Sequence, residues 1–249
     1  MITIQHLPRN SAIFTVVLIL LVPLQYLNAT TIEFGTNLIE NGNAELGDGS
    51  NGYEYVDVPG WTKLEGGFTA VSYGANAFPD TESPGPDDRG NNFFSGGNNY
   101  TLSSAYQIID VSDIASEIDE GTVAFDLSGY FGGYYDHEDN ATLTVLFQDD
   151  SGDTLGSAAI GQVSVSDRDK TTGLLFQDTQ GFLPTDTRQI EVLLEMNRVH
   201  GAYNDGYTDN LSLVLVPLPS TIILLGTGIL AMRRYQRISR RPRHSPAKK

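Results

Sequence analysis

The 249-residue chain contains no cysteine, which removes disulfide frameworks, thiolate nucleophiles and thiolate metal sites together. Bases are scarce in its middle part, residues 30–215. Only Lys63, Arg89, Arg168, Lys170, Arg188 and Arg198 stand there against all 31 acids, so that part carries −25 while the whole chain carries −16. Such a surface repels nucleic acid and anionic lipid and attracts hard cations such as calcium, although the same charge also serves solubility. Histidine is rare as well, with only His137 and His200 in the middle part. Neither a Gly-x-Ser-x-Gly elbow nor a His-Glu-x-x-His helix is present, so an enzyme is not expected. Carboxylate pairs such as Asp87 with Asp88 or Glu191 with Glu195 arise readily among so many acids. A glycosidase would need a defined separation between two of them.

The two ends lack acids altogether. Met1 to Asn10 carries His6 and Arg9, Ser11 to Leu24 is apolar, and Leu27-Asn28-Ala29 ends in a small residue. That order predicts a secretory signal peptide over residues 1–29, with an uncleaved anchor helix as the alternative. At the other end, Val216, Pro217, Leu218, Pro219, Ser220 and Thr221 precede an apolar run over 220–232 and a basic tail over 233–249 that opens with Arg233, Arg234 and Arg237. A helix of about fourteen residues from Pro219 would span about 21 Å, short of the roughly 30 Å hydrocarbon core. Gly226 and Gly228 weaken it by about 1 kcal/mol each, and the basic cluster keeps the tail cytoplasmic. The segment resembles the C-terminal sorting signal of PEP-CTERM proteins, in a variant form with Leu218 at the usual Glu position. The resemblance implies an exported protein of a Gram-negative bacterium, a single-pass precursor processed by an exosortase-like enzyme. Its mature form would sit at the cell surface or in the extracellular matrix, associated with exopolysaccharide or biofilm. A plain membrane-anchored surface protein is the alternative.

Between the ends, residues 30–215 have the length of one domain. Short β-rich runs recur at Ala105–Val111, Thr122–Gly129, Ala141–Phe147, Thr154–Val165, Gly173–Phe176, Arg188–Glu195 and Asn210–Val216, with an earlier one at Thr31–Phe34. Several alternate, as in Val123, Phe125, Leu127 or Leu143, Val145, Phe147. Ser112–Glu120 alone suggests a helical turn, and Gln148–Asp153 reads as a hairpin turn. Ala75–Asn99, rich in Pro, Gly and Asn, reads either as a cation-ordered functional loop or as a surface excursion. Strands at this spacing with no βα alternation predict an all-β, jelly-roll-like sandwich.

Asn37-Leu-Ile-Glu-Asn-Gly-Asn-Ala-Glu45, followed later by Gly60-Trp61, resembles the opening of carbohydrate-binding-module and galactose-binding-like jelly rolls. Asn204-Asp-Gly-Tyr-Thr-Asp-Asn-Leu211 resembles their closing strand. The likeness implies a structural calcium held by Glu45, the neighbourhood of Asn43 and Asp209, stapling the first strand to the last. Trp61 could be a sugar-stacking platform or a core plug. Tyr203, Asn204, Asp205 and Tyr207 have the chemistry of a sugar-binding loop, with Tyr130, Phe131, Tyr134 and Tyr135 as possible neighbours. The expectation is therefore a structural or adhesive surface protein that binds extracellular polysaccharide. A polysaccharide lyase or hydrolase of the same fold is the alternative.

Overall fold

Residues 31–218 are described in the computed structural model. The expected signal peptide, the membrane helix and the basic tail with Arg233, Arg234 and Arg237 lie outside the described residues, as do Pro219, Ser220 and Thr221. Among the described residues no helix is long and apolar enough to cross a membrane.

Ten strands form: β1 (Thr62–Glu65), β2 (Thr69–Ser72), β3 (Asn92–Asn98), β4 (Leu102–Asp110), β5 (Val123–Gly133), β6 (Asn140–Gln148), β7 (Thr154–Gly161), β8 (Gly173–Phe182), β9 (Gln189–Asn197) and β10 (Tyr203–Pro217). Between β4 and β5 a single turn of 3-10 helix, Ser112–Ile114, runs into the short helix α1 (Ala115–Asp119). One sheet has the order β1-β4-β9-β6-β7 and the other β2-β3-β10-β5-β8. Within them β3-β10-β5-β8 faces β4-β9-β6-β7, the strand order of a jelly roll. All pairings between these strands are antiparallel.

Alternation sets which side chains meet between the sheets. β5 turns Phe125, Leu127 and Phe131 inward, β6 turns Leu143, Val145 and Phe147, β9 turns Ile190, Val192, Leu194 and Met196, and β10 turns Leu211, Leu213 and Leu215. Trp61 behaves as a plug at the edge of this core, its ring 5.8 Å from Phe68 and 5.7 Å from Phe94. Removing any of these from water stabilises the fold by about 1.5–3 kcal/mol for a fully buried large apolar side chain.

Three expectations change. Thr31–Phe34 is not a strand. The N-terminal segment instead runs irregularly beside the second half of β10, where the Gly35 amide donates to the Leu215 carbonyl, Leu38 donates to Leu213, and Leu211 donates to Gly42. Gly42 passes so close that any Cβ there would meet the Leu211 carbonyl oxygen. The stretch Ala75–Asn99 is not loop throughout, since its last seven residues before Asn99 are β3. Strand β10 also continues past residue 215: Pro217 pairs with Val123, and the Leu218 amide donates to the Thr122 carbonyl. The first three residues of the Val216–Thr221 motif thus belong to the sandwich edge.

The segment between β2 and β3, residues 73–91, folds down over the outer face of the second sheet. Beneath it Val71, Phe93, Leu174 and Tyr207 make a second, smaller core against Tyr73, Phe78, Tyr130, Tyr134 and Tyr203. Arg89 shapes this cover by donating to the carbonyls of Asp80, Ser83 and Pro86 while its guanidinium lies 5.4 Å from the Tyr73 ring.

Candidate functional site

Strand β10 supplies three consecutive outward polar positions, Asp205, Tyr207 and Asp209, because side chains alternate along a strand. All three are covered by other elements. Asp209 is fully buried, its carboxylate accepting from the Tyr73 hydroxyl at 2.7 Å and from the Asn210 amide at 2.7 Å. Glu45 accepts from the Asn91 and Asn92 amides at 2.7 Å each and from the Asn91 side chain at 2.9 Å, which ties the N-terminal segment to the end of the covering loop. Asp88, exposed on that loop, accepts from Asn210 at 2.8 Å. Asn43 uses its side-chain oxygen on the Glu45 amide at 3.4 Å and lines an open cavity of about 390 Å³ with Asp88 and Asn210.

Glu45 and Asp209 are therefore brought near one another, and Asn43 lies beside them with its side chain turned into its own turn. Sequence reasoning missed Asp88 and Tyr73, which reach the group from the irregular covering loop and from the residue after β2. Burial pushes the Asp209 carboxyl up to about 8, and the charges of Glu45 and Asp88 push the same way against the hydrogen bonds from Tyr73 and Asn210. The two ion pairs among the described residues, His137–Asp205 and Arg188–Asp119, lie elsewhere. Glu45 and Asp88 lie close enough to act on the charge of Asp209, while the one group of three ligating side chains whose donor atoms converge among the described residues is His137, Asp139 and Asp205.

The expected sugar-binding loop is placed differently. Asn204 and Tyr207 are fully buried, Asp205 is 5% exposed and Tyr203 is half-buried. They are strand residues of β10 under the covering loop rather than a surface. Asn204 donates to the Met196 carbonyl at 2.8 Å, and the Tyr207 hydroxyl donates to Asp205. Asp205 also meets His137 Nδ1 at 2.8 Å, and burial raises its carboxyl above the usual range against the pull of Tyr207 and His137. Of the neighbouring aromatics, Phe131 is buried, Tyr130 and Tyr134 are half-buried and only Tyr135 is exposed.

Three of the exposed aromatics gather one layer further out, while Tyr135, Phe176 and Phe182 are exposed elsewhere. Tyr53 is 62% exposed, Tyr55 47% and Tyr100 42%, from two loops that meet at the end of the sandwich where β10 begins. The Tyr55 and Tyr100 rings stand edge to face at 5.9 Å, and Tyr53 stands edge to face with Tyr203 at 6.3 Å. The Tyr55 hydroxyl donates to the Asn98 carbonyl, which fixes its ring. Burial and the neighbouring Tyr100 hold the Tyr55 phenol above its ordinary value, so it stays a neutral donor. Asn51 precedes Tyr53 by two residues and its side-chain oxygen accepts from the Tyr53 amide at 3.2 Å, while Asn98 and Asn99 immediately precede Tyr100 in the chain. Rigid tyrosine faces with adjacent amides can stack on the C–H face of a sugar ring and bond its hydroxyls.

No family model matches this chain, and no curated protein does. Among solved structures, a cyclase from Fischerella sp. TAU superposes with a TM-score of 0.51 at 13% identity, over 74% of this chain and 98% of its own, and shares the fold. A structure described as family 16 carbohydrate-binding module-2 gives a TM-score of 0.45 at 17% identity, over 72% and 99%. The enzymatically active domain of bacteriophage CBA120 tailspike protein 4 gives 0.43 at 14% identity, and this chain spans only 22% of its length. Xylan-binding domains of CBM 22 also match, with TM-scores of 0.35 at 17% identity.

A carboxyl whose pKa is higher in the folded than in the unfolded chain holds its proton more tightly when folded. Its contribution is full below about pH 4 and is lost as pH rises through about 8. In chelator, the melting temperature of the wild type is expected to fall between about pH 6 and pH 9 more steeply than that of Asp209→Asn. Parallel curves would show that Asp209 does not titrate in this range.

Proposed function

We propose that this protein is a non-enzymatic, exported carbohydrate-binding protein of the cell surface or extracellular matrix. The observation that carries the reading is the exposed Tyr53, Tyr55 and Tyr100 cluster, with a side-chain amide from Asn51, Asn98 or Asn99 within each loop. Three aromatic faces on loops of a rigid sandwich suit an extended glycan better than a small buried ligand. A polysaccharide is the partner with that shape. The acidic surface turns away anionic glycans, so a neutral polysaccharide is favoured.

In this reading a calcium ion held by Glu45, the neighbourhood of Asn43 and Asp209 would tie the N-terminal segment to β10 in a chain that has no disulfide to do so. The ion would neutralise the buried Asp209 carboxylate and strengthen a long loop closure. Delivery is by a secretory signal, and retention or release is by an exosortase-like enzyme acting on the segment after Leu218. The Val216–Pro217–Leu218 start of that segment, held in the sandwich edge, would set how near the membrane processing takes place.

Affinity electrophoresis of the full-length chain through neutral polysaccharides is expected to show retardation that drops about 10-fold or more in Tyr55→Ala/Tyr100→Ala, equivalent to about 1.4 kcal/mol. An unchanged shift would remove the tyrosine site, and release of reducing ends from the polysaccharide would overturn the non-enzymatic reading. Calcium is expected to raise the melting temperature of the wild type and leave Asp209→Asn unmoved. An equal rise in both would place the ion elsewhere. Mass spectrometry of the mature protein is expected to find a C-terminus that precedes Arg233, whereas an intact basic tail in surface material would mean a permanent anchor.

A further inference from the structure

We propose that His137, Asp139 and Asp205 form a second metal site, for a divalent transition-metal ion of the zinc type. Their donor atoms lie within 4.8 Å of one another at the end of the sandwich where the β5–β6 and β9–β10 connections meet. Asp139 and Asp205 are 1% and 5% exposed, while His137 is half-exposed and opens the group to solvent. His137 Nδ1 and an Asp205 oxygen are 2.8 Å apart. Zinc bonds of about 2.0–2.2 Å at a tetrahedral angle put two ligand atoms about 3.3 Å apart, so a small rotation of the imidazole admits the ion in place of the shared proton.

The carboxylates are held the way ligating carboxylates are held. Asp139 accepts from the Val199, His200 and Asp205 amides at 2.6, 2.7 and 2.9 Å, and Asp205 accepts from the Tyr207 hydroxyl on its other oxygen. These bonds fix the orientation of both groups and leave lone pairs facing His137. No guanidinium satisfies them. Arg168, the buried base of this region, donates to the carbonyls of Gly133, Tyr135, Thr171 and His137 instead. The two buried carboxylates outnumber the single guanidinium of Arg168 that acts on them, and buried charges of this kind need a partner that a divalent ion would supply. The imidazole nitrogen selects zinc, cobalt or nickel over calcium or magnesium, which separates this site from the all-oxygen group around Asp209. The three residues leave further coordination positions to water, beside the His200 ring at 5.7 Å from His137.

The site would staple the β5–β6 connection to the start of β10, directly behind the tyrosine-bearing loops. It does not depend on the carbohydrate reading. The test is calorimetric titration of zinc chloride into the untagged full-length chain, stripped of metal and kept in saturating calcium so that the oxygen site is filled. One zinc per chain is expected in the wild type and in His6→Ala/His244→Ala, and that uptake is expected to vanish in His137→Ala. Cobalt(II) should give a visible absorption band that zinc displaces and His137→Ala lacks. Tyr207→Phe keeps the ring in the second core and removes only the hydroxyl that orients Asp205, so it is expected to bind zinc about 10- to 100-fold more weakly. A wild-type chain that takes up no zinc, zinc uptake unchanged in His137→Ala, or affinity unchanged in Tyr207→Phe would each overturn the assignment.

Discussion

Everything in this sandwich is arranged along β10, whose backbone is bonded on both sides for most of its fifteen residues. β5 pairs along one edge from Tyr207 to Pro217, while β3 and then the N-terminal segment share the other. A strand so placed cannot slip by one residue without exchanging the buried Leu211, Leu213 and Leu215 for Ser212, Val214 and Val216 from the other face. A bulge between Asp209 and Ser212, where Asn210 takes a positive φ, interrupts that alternation and puts Asp205, Tyr207 and Asp209 on the opposite face. Their burial there requires a second layer, and the segment over residues 73–91 provides it. The covering loop is therefore a structural answer to polar groups that β10 would otherwise leave half-wet beside Phe93 and Leu174.

Covering that face has an electrostatic cost, and the molecule handles it locally. Each buried carboxylate of the outer face accepts short bonds from amides or tyrosine hydroxyls, and Asp205 alone also meets a histidine, His137. A network of this type is stable only when every member is satisfied, because an unpaired charge in a dry layer is expensive. Burial raises the carboxyls of both Asp205 and Asp209, so each holds its proton more tightly than a surface acid does. That combination of fixed geometry and raised proton affinity distinguishes the two acids on β10 from the many acids on the surface.

The fold was legible wherever a strand keeps one face wet. β5, β6 and β9 alternate cleanly because their outer faces meet solvent, and the hairpin between β6 and β7 announces itself through Asp149 to Asp153. β3 was hidden because Phe93 and Phe94 are buried in different cores, so its pattern lacks the polar half of the alternation. The first half of β10 read as a loop for a related reason. Its Asn204, Asp205, Thr208 and Asp209 are polar yet buried, each bonded to a particular partner that composition does not reveal. Exposed aromatics were equally hard to choose. Twelve tyrosines are present, and only the fold separates Tyr207 in a core from Tyr55 on a rim. Glu45 and Asp209 could be named beforehand because two short motifs carry them, whereas Asp88 and Tyr73 join through a loop with no pattern.

The two ends of β10 also give the molecule a direction. Tyr203 opens the strand beside the rim of exposed rings, and Pro217 closes it at the far end of the sandwich, about 45 Å away at the usual rise per residue. The Leu218 amide is still bonded to the Thr122 carbonyl, so β10 stays tied to β5 up to the last described residue and a pull applied there would run along the strand. The aromatic rim lies at the opposite end of that axis.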